Sequence, residues 1–309
     1  MQVGSRSRYP HRCGVRGGRC EREGVASSPE PRQWVRRGYY YRSSDSRRVG
    51  RFYCRRCKRT FSWASFSRCY GQKRRRLNEP IRKLLVSGVS QRRIALLLGA
   101  NLKTVVRKFL FLAGEAERRH EAYLAELRAE GVQFTELQFD EMESFERSKC
   151  LPLSIPLAVL PGRRKILGFQ VCVMPANGLL AKISREKYGP RSDERRQAAL
   201  DVLALLQPLL APQCLITTDE KPQYRAWIKK ALPTAEHRRV PGQRGAVVGQ
   251  GELKKIGFDP LFSFNHTAAM LRANINRLFR RTWCTTKKPR RLAQHIALYL
   301  DHHNRFLTA

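Results

Sequence analysis

The sequence predicts a multidomain chain, with a small cysteine-bearing ribbon and a helix-turn-helix ahead of an α/β domain built on a mixed five-stranded sheet with flanking helices. Three observations predict this. A Cys-x2-Cys pair lies among basic residues at 54–57, two short amphipathic segments flank a glycine-containing turn within 81–113, and β-rich runs alternate with helical periodicity from 131 onward. The 309 residues suit two or three folded units at about 100–200 residues each. Composition and pattern divide them into a basic ribbon region (1–75), a helix-turn-helix with a connector helix (76–130), the α/β domain (131–285) and a C-terminal helix (286–309).

Charge narrows the partners. Lys and Arg total 61 against 25 acidic residues, a net +36, while 42% of the chain is hydrophobic. This is a core-forming chain with a basic surface, not a basic tail. Residues 1–80 hold 22 basic and 5 acidic residues, a net +17. A field of that size attracts a polyanion through counterion release, and nucleic acid is the commonest one. The longest apolar stretch, 199–211, is interrupted by Asp201, Gln207 and Pro208 and falls short of the roughly 18 residues of a membrane span. The basic N-terminal 30 residues lack the apolar segment of a secretory signal. The expected location is therefore the cytoplasm, at the nucleoid, with no membrane partner.

The ribbon comes first. Nine cysteines are an odd number for a disulfide framework. Cys54 and Cys57 differ from the single cysteines, because a tight turn between two short strands aims both thiolates at one ion, as in a Zn2+ knuckle. Cys13 and Cys20 are the candidates for the other two Zn2+ ligands, although their spacing is poor for a second knuckle. Arg55, Arg56, Lys58 and Arg59 would ring the knuckle and face phosphates.

The helix-turn-helix follows. Ser90 is a suitable N-cap for a helix carrying Ile94, Ala95, Leu97 and Leu98. Gly99-Ala100-Asn101 breaks it, and a second helix starts near Leu102 with Val105, Val106, Phe109 and Leu110 on its apolar side. In this motif the second helix enters the major groove, which would turn Lys103, Thr104, Arg107 and Lys108 towards DNA. Residues 114–130 carry mixed charge and read as a solvated connector.

In the α/β domain, strand-like runs at 134–142, 151–160 and 165–174 form a meander. A helix with Ser192 as N-cap follows, then a strand at 213–218, a short helix at 222–231 and a strand at 236–240. Residues 241–263 are glycine-rich and loop-like, and a long helix at 266–281 buries Ala268, Leu271, Ile275 and Leu278. Asp140 lies in the first of these strands and Asp219 ends the fourth. The order β-β-β-α-β-α-β-α is what a ribonuclease-H-like domain would show, although order alone fits several α/β folds; in the ribonuclease-H arrangement those two strands are neighbours. Two carboxylates brought together there repel one another, and a divalent cation relieves the repulsion.

On these residues the chain resembles bacterial insertion-sequence transposases that carry a zinc ribbon, a helix-turn-helix and a DDE-type ribonuclease-H-like domain. The resemblance rests on Cys54-Arg-Arg-Cys57 with Thr60-Phe61-Ser62, on 90–109, on Asp140-Glu-Met-Glu-Ser-Phe145 and on Thr218-Asp219-Glu220. It continues through Asn265-His266-Thr267 to Arg281-Thr282-Trp283 and the tail at 298–304, and so spans about 50–309. It implies Asp140 and Asp219 as the first two catalytic ligands of Mg2+ (or Mn2+). It implies Asn265 as the third, in the manner of D-D-N branches, with Glu252, 33 residues after Asp219, as rival. It further implies Arg272, Arg277, Arg280 and Arg281 as backbone contacts, double-stranded DNA as partner, and a homo-oligomer joining two element ends. Asn in place of Glu adds no negative charge, which keeps open a DNA-binding repressor without catalysis. A ribosome-associated RNA binder has comparable charge but no use for acids at strand ends.

Overall fold

A computed structural model describes residues 34–43, 46–55, 58–241, 259–279 and 283–308. The chain divides into two compact units, Met1–Glu79 and Pro80–Ala309.

The first unit is a three-stranded antiparallel sheet, β1 (Trp34–Arg42), β2 (Arg47–Cys54) and β3 (Thr60–Ser62), in that spatial order. Strand alternation turns Phe52 and Cys54 to one face, where they pack with Phe61 and Trp34. Phe52 stacks on Phe61 at 5.5 Å between centroids, and Trp34 meets Phe52 edge-on at 5.4 Å. On β1 and β2 arginines lie over tyrosine rings: Arg36 over Tyr39 at 4.4 Å, Arg37 over Tyr53 at 5.3 Å and Arg51 over Tyr40 at 5.5 Å. Such contacts restrict the guanidinium planes while leaving their charge in place.

The second unit begins within α1 (Asn78–Leu85), followed by α2 (Gln91–Leu97) and α3 (Leu102–Ala129). Ser90 caps α2 by accepting from the Arg93 N–H at 3.4 Å, and Asn101 caps α3 by accepting from the Lys103 N–H at 2.8 Å. Gly99 turns the chain between them at φ +54°, a conformation that favours glycine. Of the expected apolar side of α2 only Ile94 is buried; Leu97 is 66% exposed.

The sheet of this unit comprises β4 (Phe134–Phe145), β5 (Pro152–Val159), β6 (Ile166–Phe169) and β7 (Cys172–Val173), then, beyond α4 (Leu180–Tyr188) and α5 (Arg195–Leu206), β8 (Leu210–Thr218). After α6 (Pro222–Ala231) comes β9 (Glu236–Arg239), and α7 (Phe262–Asn274) and α8 (Pro289–His302) complete the unit. The strand order is β6-β5-β4-β8-β9, with β7 also on β5. β4, β5 and β6 are antiparallel in sequence, whereas β8 is parallel to β4 and β9 to β8. Leu137 and Phe139 of β4 and Ile216 of β8 form one core with Ala199, Val202 and Leu203 of α5 and Tyr224, Trp227 and Ile228 of α6.

Several expectations are corrected. The sheet has six strands, because the run at 165–174 splits into β6 and β7. Its register against β5 is continuous across the gap, and Gln170 donates to the Pro156 carbonyl at 3.1 Å. Pro156 has no N–H to return that bond, so regular pairing lapses there. The fifth helix begins at Arg195, not behind a Ser192 cap, with Asp193 accepting from the Arg195 N–H. α7 spans 262–274 and gives way to a 3-10 turn at Asn276–Leu278. Asn274 Nδ2 donates back to the Met270 carbonyl at 2.9 Å, a side-chain bond that competes with helix continuation. Residues 114–130 are no solvated connector. They continue α3 to 28 residues, bury Ala116 and Leu124, and pair Arg119 with Asp301 of α8. The helix-turn-helix, the sheet and the C-terminal helix therefore share one unit.

One buried group in this packing sets a pH dependence. His295 of α8 is 1% exposed; its Nε2 bonds the Leu85 carbonyl at 3.0 Å, and its ring meets Phe109 edge-on at 5.6 Å. Its Nδ1 has no hydrogen-bond partner among the described residues. Burial pushes the imidazole down to about 4, against the Leu85 bond, and the Arg277 charge adds to the depression. Because this pKa lies below the unfolded value of about 6.5, the unfolded chain binds the proton first, and stability present above pH 6.5 is lost as pH falls towards 4. The expected loss is about 3 kcal/mol. Asp140, raised to about 6, opposes it: its contribution is full below about 3.8 and is lost as pH rises through 6. The check is therefore a difference. In urea titrations between about pH 7 and pH 4 the wild type should lose about 3 kcal/mol more than His295→Gln.

Candidate functional site

The middle of β4 and the end of β8 build the site. β4 and β8 run parallel with Gln138 opposite Thr217; two residues beyond that pair come Asp140, still within β4, and Asp219, and the Asp219 charge acts on the Asp140 carboxyl. Asp219 falls just beyond β8 and accepts the Lys221 N–H at 3.1 Å. This turn leads into α6, whose first residue is Pro222, a residue suited to that position because a first-turn N–H needs no partner.

α6 then returns Tyr224 to the acids. Its hydroxyl donates to Asp140 Oδ1 at 2.7 Å and lies 3.3 Å from Glu141 Oε2. Glu141 is buried, with Oε1 accepting from the Ser154 hydroxyl at 2.6 Å and Oε2 facing Lys221 Nζ at 3.3 Å. Burial raises the Asp140 carboxyl to about 6. The Tyr224 hydrogen bond works against this, the Asp219 charge adds to it, and the Glu141 N–H and Lys221 partly offset it. Tyr224 is held far above the usual tyrosine range by burial and by Asp140, Glu141 and Asp219, so it serves as a fixed hydrogen-bond donor.

Gln138 shares the face of β4 that carries Asp140, two residues away. Its Nε2 donates to the Pro260 carbonyl and its Oε1 accepts the Phe264 N–H, both at 2.8 Å. These bonds clamp the first turn of α7 onto β4. Asn265 sits in that turn, exposed, with Nδ2 donating to Asp259 Oδ2 at 2.9 Å. Glu252 lies outside the described residues. Among the described residues no group of three His, Cys, Asp or Glu side chains is gathered for a metal ion. The candidate donors are the carboxylates of Asp140 and Asp219, the charge of the second acting on the first, and the side-chain amide of Asn265 in the turn that Gln138 clamps to β4. That set fits Mg2+, which is held by one or two carboxylates and retains several waters or substrate oxygens. A cation would favour the charged form of Asp140 against the burial, and the lesser Asp219 charge, that raise it.

The other expected site residues divide. Cys54 is buried at the end of β2, and its N–H bonds the Arg59 carbonyl at 2.9 Å, closing a tight turn. Arg55, Lys58 and Arg59 are exposed around it, while Arg56, Cys57, Cys13 and Cys20 lie outside the described residues. Lys103 and Arg107 are exposed and Thr104 half-buried. Lys108 is a correction: only 5% exposed, it lies three residues after Val105 on the packed side of α3 and cannot face a groove. Arg277 lies over the Phe109 ring at 5.7 Å, half-buried, its guanidinium lowered by burial and by Arg291. It braces α3 where a backbone contact is expected. Arg272 is half-buried on α7, and Arg280 and Arg281 lie outside the described residues.

The sequence reading missed Tyr224, Lys221, Glu141, Gln138 and Asp259. The only local signal for the first two is their place in the turn after Asp219; the rest are fixed by long-range pairing. The fold and site together define an α/β protein with a mixed sheet, in which one acid, Asp140, lies within β4 and another, Asp219, follows the end of the parallel strand β8. No protein-family model matches the chain, and no curated protein matches it. No helix among the described residues is long and apolar enough to cross a membrane.

Proposed function

We propose that the chain is an insertion-sequence DNA transposase of the D-D-N type, which cleaves element ends and transfers the freed 3′-hydroxyl into target DNA. The observation that carries this reading is the parallel register of β4 and β8, in which Gln138 faces Thr217 and Asp140 and Asp219 each follow two residues on. The strand order supports it: three antiparallel strands, then two parallel strands added beside the first, the order of a ribonuclease-H-like domain. Asp140, Asp219 and the Asn265 carbonyl oxygen would hold Mg2+ (or Mn2+), which supplies Lewis acidity to a phosphodiester and lowers the pKa of an attacking water or hydroxyl. Tyr224 orients Asp140, and Lys221 neutralises Glu141, so that the buried acids stay in place without metal.

DNA is engaged by Lys103, Thr104 and Arg107 on α3 and by Arg55, Arg56, Lys58 and Arg59 at the knuckle, with Zn2+ on Cys54 and Cys57. Among the described residues the apolar cluster of the first unit gathers three buried side chains, Phe52, Cys54 and Phe61, and small domains commonly rely on a metal or cross-link. Joining two element ends requires a homo-oligomer.

A second reading, a transposase-derived DNA binder without catalysis, is favoured by one observation: the third position is an amide, and among the described residues no group of three His, Cys, Asp or Glu side chains is gathered for a metal ion. An oligonucleotide assay with Mg2+ separates the two. Strand-transfer products with wild type supports the enzyme; tight duplex binding without products supports the binder.

A further inference from the structure

The first unit contains a cleft of about 840 Å³ at the β1–β2 turn, far along β2 from the knuckle. It is lined by Arg42, Arg47, Arg48, Arg75 and Arg76, with Ser46 among its hydroxyls, and none of its described lining residues is acidic. Arg42 has an interaction partner already; the guanidinium groups of Arg47, Arg48, Arg75 and Arg76 around one hollow repel each other, and an anion that enters relieves the repulsion. Two of them are held in place: Arg48 lies over the Tyr39 ring at 5.8 Å, and Arg75 Nε donates to the Gln72 carbonyl at 3.4 Å. Arg47, Arg48 and Arg76 are exposed.

We propose that this cleft grips the phosphate backbone of duplex DNA, as a contact separate from the knuckle and from α3. It rests on the DNA-binding part of the proposed function and not on the catalytic part. Position favours a polymer over a free phosphate. Arg47 and Cys54 mark the two ends of β2, about 24 Å apart at roughly 3.4 Å per residue. Basic groups at both ends suit a backbone whose helical turn is about 34 Å, and no small anion spans them. Guanidiniums also match phosphate oxygens bidentately.

The test is the salt dependence of duplex binding by the full chain, followed by fluorescence anisotropy between about 50 and 200 mM NaCl, since each phosphate contact contributes about 0.9 to the slope of log affinity on log salt. Arg47→Ala/Arg48→Ala and Arg75→Ala/Arg76→Ala should each lower the slope by nearly two, equally for any duplex sequence. The corresponding Lys doubles should keep the slope, which separates loss of charge from loss of folding. Lys229→Ala/Lys230→Ala, an equal loss of charge on exposed positions of α6, should leave it unchanged. An unchanged slope in the Ala doubles, an equal fall in the α6 control, or structured RNA displacing duplex from the wild type but not from the Ala doubles would overturn the proposal. Strand transfer measured on the same preparations keeps the two readings apart. A lowered slope in a wild-type background that makes no products supports the cleft and removes the catalytic reading. Products with unchanged slopes do the reverse.

Discussion

On the proposed function, Asp140→Asn and Asp219→Asn chains are expected to bind duplex DNA as the wild type does and to lose Mg2+-dependent strand transfer by at least about 10²–10³-fold, the loss that follows removal of one preorganised charge-stabilising group. Each substitution removes a formal charge from a pair in which the Asp219 charge acts on the Asp140 carboxyl. An amide oxygen can still approach a cation but attracts it less. The substitutions should not unfold the chain. An Asn at 140 keeps an acceptor for the Tyr224 hydroxyl and the Glu141 N–H, which bond Asp140 Oδ1 at 2.7 and 2.6 Å. It also relieves a carboxylate that burial and Asp219 disfavour, so the thermal midpoint should hold or rise. Asp219→Asn keeps the acceptor for the Lys221 N–H. Strand-transfer assays beside melting curves check both halves. Equal activity in the Asn variants would remove the acids from the chemistry, whatever their position.

The second large effect is structural. Arg119→Ala should destabilise the second unit by about 3 kcal/mol, because breaking a buried pair strands the partner charge. Arg119 holds Asp301 through two bonds, Nε to Oδ1 at 2.9 Å and Nη2 to Oδ2 at 2.8 Å. The Asp301 side chain is 4% exposed and that of Arg119 39%. The burden of desolvation therefore falls on the carboxylate, and Arg305, at 3.8 Å, replaces only part of the lost attraction. Asp301→Ala should cost less than Arg119→Ala, since the half-exposed guanidinium can turn to water. For a unit of this size the loss amounts to about 6–12 °C in thermal midpoint. Replacing both residues by leucine should come close to wild type, as apolar replacements of buried pairs often do. Melting curves of the three chains read the ranking directly, and a neutral Arg119→Ala would mean that α3 and α8 are held by their apolar contacts alone.

How much of this was legible in the sequence depended on how far the decisive interaction reached along the chain. Local chemistry marked the caps at Ser90 and near Asn101, the turn at Gly99 and the helix at 222–231. In each case the signal and its structural consequence lie within a few residues. Period-two alternation found β4, β5 and β8, and Asp219 was correctly placed at the end of a strand. Pairing was harder to read. The break between β6 and β7 follows from Pro156, which belongs to the neighbouring strand. The end of α7 follows from a side chain that bonds its own backbone, and no glycine or proline marks it.

The sequence by itself determined the charge, the alternation of strands and helices, and the place of one aspartate within a strand and of the other where a strand ends. Those properties belong to each residue and its near neighbours. Only the tertiary structure decided that the Asp219 charge acts on Asp140, that Tyr224 and Lys221 hold the acids between them, that Lys108 is buried, and that the charged middle of α3 is packed against α8. The register of β4 on β8 joins residues almost eighty apart, and Arg119 meets a partner 182 positions away. Burial and electrostatic pairing of that range arise from which surfaces exclude water together, a property of the assembled fold that no local pattern carries.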